Sequence, residues 1–309
     1  MRVAWLVMFS ILGVGCGGDL SRDQACTDLA TARCGQLMTC SPADLTKRWP
    51  DVGTCEAREK LACMDALAAP QTAATPSTDK TCADAVAAET CPAFLTTAAP
   101  PDACLPQHGP RTNGAACSFA AECASGFCSV ADDALCGTCA DVPAAGASCA
   151  TSGCGPTMMC VRSTMTCQVP GAANATCSKD LPCGAGLACV ASTNTCQPEV
   201  ATAGATCDPK RMTGPDCDAA AGLTCDTQSL QCVTQPFVAA GQPCGLIGTT
   251  RTACSGVAPC SIPQGETMGT CIAPAADGGA CNSDAGPFCE TPAKCVDGAC
   301  ALPGSMTCS

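Results

Sequence analysis

Thirty-five cysteines in a chain of 309 residues constrain what this sequence can fold into more than any other feature. Little else is present to build a core. Hydrophobic residues make up 47%, largely Ala and Cys, while aromatics are 3% and Tyr is absent. Small apolar side chains bury too little surface to offset chain entropy over this length. Cysteine at this density reads as a disulfide scaffold, in which each bridge closing a loop of about 15 residues contributes roughly 3 kcal/mol. Disulfides persist in oxidising compartments, so the chain is expected to be exported.

The start of the sequence agrees. Met1-Arg2 is a short basic segment, and Val3 to Val14 is an apolar run too short for a membrane-spanning helix but suited to a signal peptide. The run ends in small residues before Cys16. It resembles a bacterial lipoprotein signal, which implies that Cys16 is lipidated and that residues 1–15 are removed. Parity fits this reading: 35 is odd, and setting Cys16 aside leaves 34, enough for 17 bridges with no free thiol. The expected location is the cell envelope, at the outer membrane or cell surface through a lipid anchor, or otherwise secretion. The net charge of −12 is spread over both halves of the chain, which excludes nucleic acid as a partner.

Residues 16–25 read as a lipidated tether and 26–106 as a helical cysteine-rich domain. That domain holds Cys26, Cys34, Cys40, Cys55, Cys63, Cys82, Cys91 and Cys104 at wide, irregular spacing. Cys26, Ala30, Cys34 and Leu37 recur at helical steps, as do Cys55, Glu59, Cys63 and Leu67. In "SPADL", Ser41 can cap a helix, Pro42 suits its first turn, and Asp44 sits where a capping box places its acid. "KTCADAVAAETC" predicts a further short helix. Pro and Gly then cluster around residues 99–114, and the helical period stops.

Residues 107–309 repeat at about 30 residues. Units open on Gly-x-x-Cys or a near variant: "GAAC", "GASC", "NATC", "GATC", "GQPC" and "GGAC". The cysteines here are Cys117, Cys123, Cys128, Cys136, Cys139, Cys149, Cys154, Cys160 and Cys167. Cys177, Cys183, Cys189, Cys196, Cys207, Cys217, Cys225 and Cys232 follow, then Cys244, Cys254, Cys260, Cys271, Cys281, Cys289, Cys295, Cys300 and Cys308. "MMCVRSTMTCQ", "LACVASTNTCQ", "LTCDTQSLQCV" and "AKCVDGACA" read as hairpins, the last around Asp297-Gly298, a type I′ turn signal. The expected fold class is small and disulfide-rich: a helical cysteine-rich domain followed by tandem disulfide-stapled β-hairpin modules in an elongated array.

The spacing C-x5-C-x4-C-x7-C-x2-C over Cys117–Cys139, continued by Cys149, Cys154, Cys160 and Cys167, resembles the N-terminal cysteine-rich domain of Dickkopf proteins. The whole chain is similar to cysteine-rich lipoproteins of myxobacteria. Gly153-Cys154 stands where the animal pattern has a vicinal cysteine pair, so no pairing carries across. Residues 26–104 hold eight cysteines, 117–167 nine and 177–308 seventeen. If the first set closes on itself, at least one disulfide must join the second block to the third.

Chemistry is sparse. His108 is the lone histidine and lies in the boundary; it reads as an exposed loop residue rather than part of a triad. No catalytic residue, metal site or cofactor is expected. Cys136 and Cys139 have zinc-knuckle or redox spacing but no supporting context. Asp132-Asp133 lacks the pattern of a calcium loop. Asn174-Ala-Thr176 fits a glycosylation pattern and is assigned nothing. Phe119, Phe127, Phe237 and Phe288 are expected to plug module cores. The function expected is that of a non-catalytic binding, adhesion or spacer module contacting an envelope or extracellular protein or glycan. The alternative is an exported inhibitor or small-ligand-binding protein with rigid disulfide-bonded loops.

Overall fold

The computed structural model describes residues 20–95, 100–150, 153–305 and 308. The signal segment and residues 16–19 of the tether, Cys16 included, lie outside them; residues 22–25, expected to belong to the tether, instead form the start of the first helix, which the Ser21 side chain caps. Five helices form the first unit: α1 (Arg22–Cys40), α2 (Pro42–Arg48), α3 (Val52–Ala68), α4 (Pro76–Ala88) and α5 (Cys91–Leu95). Each of the first four starts on a side-chain cap: Ser21, Ser41, Asp51 and Thr75 accept from the amides of Gln24, Asp44, Thr54 and Thr78. A cap of this kind contributes about 1 kcal/mol. Ser41 caps α2 as its position predicts, but the Asp44 carboxylate turns to Lys47 at 3.2 Å instead of completing a capping box.

The helices pack through the predicted stripes. Cys26, Leu29, Cys63, Leu67, Cys82, Ala83 and Val86 form one cluster, and Cys34, Leu45, Trp49 and Cys55 a second. Cys26–Cys63 and Cys34–Cys55 staple α1 to α3, Cys40–Cys91 ties the end of α1 to α5, and Cys82–Cys104 fastens the exit from α4. Eight cysteines thus close four bridges within this hub.

Six modules follow, all with one internal pairing: first cysteine to third and second to fourth. In the first module these are Cys117–Cys128 and Cys123–Cys139, on a sheet in which β3 (Gly137–Cys139) lies between β1 (Ala116–Cys117) and β2 (Cys128–Ser129). The second is stapled by Cys149–Cys160 and Cys154–Cys167 around the hairpin of β4 (Met159–Val161) and β5 (Thr166–Gln168). The third uses Cys177–Cys189 and Cys183–Cys196 around β6 (Leu187–Val190) and β7 (Thr195–Pro198). The fourth uses Cys207–Cys225 and Cys217–Cys232 around β8 (Leu223–Cys225) and β9 (Cys232–Thr234).

The fifth module departs from the simple hairpin. Cys244–Cys260 and Cys254–Cys271 hold a five-stranded sheet whose first strand, β10 (Phe237–Val238), runs parallel to β12 (Thr250–Cys254). β11 (Pro243–Ile247) joins β12 to β14 (Met268–Cys271), and β13 (Cys260–Ser261) forms the far edge. The sixth returns to a hairpin, β15 (Lys294–Val296) and β16 (Ala299–Ala301), with Cys281–Cys295 and Cys289–Cys300. Its Asp297 and Gly298 both have positive φ, as a type I′ turn requires.

The Gly-x-x-Cys opening has a backbone cause. Its first residue, at 114, 146, 174, 204, 241 and 278, has positive φ in every module and sits third in a four-residue turn. Asn174 occupies the position in the "NATC" module, and Asn tolerates that conformation better than other side chains. The glycosylation-like pattern there thus coincides with a turn requirement. The N–H of this residue donates to the carbonyl of the fourth cysteine at 2.7–2.8 Å, and that cysteine's N–H returns to the next residue at 2.8–3.0 Å.

Module cores are made of sulfur and small side chains. Cys207, Cys217, Leu223, Cys225 and Cys232 form one, and Cys117, Cys123 and Cys139 another. The phenylalanines do not plug them: Phe119, Phe127, Phe237 and Phe288 are all half-buried at module surfaces. Two adjacent disulfides already fill the space a ring would need.

The modules do not extend away from the hub as an elongated array; they fold back on it. Ala73 donates to the Ala121 carbonyl of the first module at 2.8 Å, and Ser41 to the Ala220 carbonyl of the fourth at 2.8 Å. Gly256 of the fifth donates to Thr46 at 2.7 Å, and Arg58 on α3 grips the sixth. Neighbours also bond one another, as where Ser163 donates to Asp180 and Ala191 to the Arg211 carbonyl. Lys294 of the last module reaches the Ala131 carbonyl of the first, and Cys136–Cys308 locks that junction across 172 residues of sequence. The result is a closed collar around a helical hub. Among the described residues, no helix is long and apolar enough to cross a membrane.

Candidate functional site

The two cysteines outside the one-three, two-four pattern are Cys136, inserted in the first module, and Cys308, in the C-terminal tail. They make both later blocks odd, and they pair with each other. Every described cysteine is therefore in a disulfide, 17 in all, and Cys16 lies outside the described residues. Cysteine triads such as Cys117, Cys123 and Cys128 bring sulfurs within 4.8 Å, the spacing of a metal site. Their sulfurs are already in S–S bonds, whereas zinc is held by thiolates. The zinc-knuckle spacing of Cys136 and Cys139 has the same explanation, since each is bonded to a different partner.

A polar clasp surrounds the closing bridge. Glu122 is 1% exposed; its Oε2 accepts from the Ser118 amide at 2.6 Å, the Ser118 hydroxyl at 3.1 Å and the Phe119 amide at 2.8 Å. Its Oε1 has no hydrogen bond and lies 3.3 Å from the Arg111 guanidinium. Arg111 also donates to the carbonyls of Pro70, Ala116 and Cys308 and to the Gln71 side chain. One side chain thus joins hub, first module and tail. Burial pushes the nearby Lys294 ammonium below its ordinary value, against the pull of Asp132 and Asp133. These two acids therefore face a lysine at the junction rather than a calcium-loop ligand set.

A second clamp lies on α3. Arg58 donates through both terminal nitrogens to Asp277 at 2.7 and 2.9 Å, and to the carbonyls of Thr291 and Glu290 at 2.7 and 2.6 Å. Asp277 stands in the opening turn of the sixth module, directly before the Gly-x-x-Cys motif, so that turn doubles as a docking point. His108 is exposed, with Nδ1 2.8 Å from the Ala124 carbonyl. Among the described residues, no acidic or hydroxyl side chain lies within hydrogen-bonding distance of His108.

A cleft of about 360 Å³ lies between the hub and the second module. Leu37 on α1, Trp49 after α2, Val86 on α4 and Phe94 on α5 supply its apolar lining, and Pro156 of the second module stands opposite. Arg33 and Glu59 pair at its edge at 3.2 Å. Clefts of this size lined by aromatic and aliphatic groups with few polar ones are the usual form of small-molecule sites. It was not legible in the sequence, because its residues come from all five helices and from a loop more than 50 positions beyond them. Searches against protein-family models, characterised proteins and solved structures found no match to this chain.

Proposed function

We propose that the protein is an exported, non-catalytic binding module of a bacterial envelope, held at a membrane through a lipid on Cys16. The closed, doubly stapled collar is the observation that carries this reading. The first, fourth, fifth and sixth modules bond the hub, and the second and third bond their neighbours, so their loops form one preorganised surface, which lowers the entropic cost of association. Closure shortens reach, which favours contact binding over a spacer role. The anchor rests on the apolar run before Cys16 and on the fact that the other 34 cysteines pair among themselves. The cleft at the hub favours a second reading, a small-ligand-binding protein.

Two measurements test the first reading. In cells, the native chain is expected to partition into detergent and the Cys16→Ala variant into the aqueous phase; equal partitioning would contradict the anchor. Purified oxidised Cys16→Ala protein is expected to bind saturably to isolated outer-membrane vesicles or cell-wall sacculi, and to lose that binding after reduction and alkylation. Failure to bind either fraction, or undiminished binding by the reduced chain, would contradict a preorganised contact surface.

A further inference from the structure

We propose that the cleft between the hub and the second module is a binding site for a small apolar ligand carrying a carboxylate. The inference deepens the small-ligand reading and is independent of the anchor and of any envelope partner.

The volume sets the scale, since about 360 Å³ equals roughly a dozen water volumes. The lining sets the apolar part. Trp49 is 5% exposed and packs on Leu45 and Cys55, so its ring forms a fixed wall. Phe94, Leu37 and Val86 complete the apolar lining. These side chains are held by Cys34–Cys55 and Cys40–Cys91, which leave the cleft formed before any ligand arrives.

The charge inventory of the rim sets the polar part. Arg33 is engaged by Glu59, and Asp44 by Lys47, which itself stands outside the lining. Arg48 is exposed and has no ion pair or hydrogen bond among the described residues. The indole N–H of the adjacent Trp49 likewise has no hydrogen-bond partner among them. Two neighbouring residues in the lining thus offer one cation and one neutral N–H, a donor pair suited to a carboxylate. Glu89 is the remaining acid of the lining without an ion pair; it accounts for no carboxylate affinity and would favour an amine.

The sequence supplies the probe. The chain has two tryptophans and no tyrosine, so in a Trp5→Phe variant Trp49 is the sole indole and its emission reports on the cleft. Full-length oxidised protein of this background would be titrated with octanoate, octan-1-ol and octylamine. A saturable change in Trp49 emission with octanoate is expected, with octanol and octylamine at least tenfold weaker. Arg48→Gln, at an exposed position, should weaken octanoate about tenfold without changing disulfide content, while Glu89→Gln should not weaken it. The proposal is overturned by the absence of saturable change with octanoate, by octanol or octylamine matching it, or by an unchanged affinity in Arg48→Gln.

Discussion

Arg58 shows how single side chains hold this molecule together. Its guanidinium, 12% exposed, makes two bonds to Asp277 and two to backbone carbonyls of the sixth module. Charge-assisted, two-pronged pairs are the stronger kind of hydrogen bond, and removing one partner strands the other. Arg58→Ala is expected to lower stability by about 2 kcal/mol, read as a reduced guanidinium midpoint of the oxidised protein. Arg58→Lys should recover only part of the loss, because an ammonium cannot reproduce the fork. Equal stability of all three would mean the sixth module is held by its disulfides alone. Asp208 makes a case in acid. Its carboxylate accepts from the amides of Thr213, Lys210 and Met212 and from the Thr213 hydroxyl, which together hold its pKa down to about 2, the Thr213 amide contributing most. A lowered acid stabilises the fold above its unfolded value near 4, and that contribution is lost as pH falls through about 2. Amide exchange at Met212 and Thr213, corrected for intrinsic rates, should therefore accelerate between pH 4 and pH 2, and Asp208→Ala should show the faster exchange at neutral pH. Invariant protection across that range would contradict the assignment.

At the scale of elements, the module is a turn, a hairpin and two crossed disulfides. The turn residue is the part most open to test. Gly204 has φ +81° and no atom within 4 Å of where a Cβ would stand, so any cost of Gly204→Ala is backbone strain alone. About 1 kcal/mol is expected. Asn174→Gly should be close to neutral or stabilising, because the position already requires positive φ; a clear loss would show that the Asn side chain itself matters there. Most of this level was legible in the sequence. The four hairpins read from "MMCVRSTMTCQ" and its counterparts form with their cysteines opposite one another, as in Cys160 with Cys167 and Cys189 with Cys196. α1 and α3 carry the stripes their spacing implies. The sheet of the fifth module was not legible, because β10 pairs with β12 in parallel over two residues and leaves no local period. The start of α4 at Pro76, capped by Thr75, was missed although Thr-Pro ahead of a helix is itself a signal.

At the scale of the whole molecule, cysteine parity required a bridge leaving the 117–167 block, and closure of the collar supplies it. What parity could not supply was direction. Docking runs through backbone carbonyls, such as Ala220 to Ser41 and Glu290 to Arg58, and a carbonyl has no residue identity to read. The cleft is hidden for a related reason, since its lining is gathered from separate helices of the hub and met by Pro156 of the second module only in the folded chain. The elongated array was the natural reading of tandem repeats whose units contact only their neighbours. Here the hub gives several units a common partner, and the Cys136–Cys308 bridge holds the two ends with Cα atoms 5.6 Å apart. The most direct measurement is a peptide map of the native protein, digested without reduction and with thiols blocked. A peptide joining Cys136 to Cys308 is expected, together with one-to-three and two-to-four pairs in every module and four pairs confined to residues 26–104. A free Cys136 or Cys308, or either one joined to a module cysteine, would contradict the closed collar.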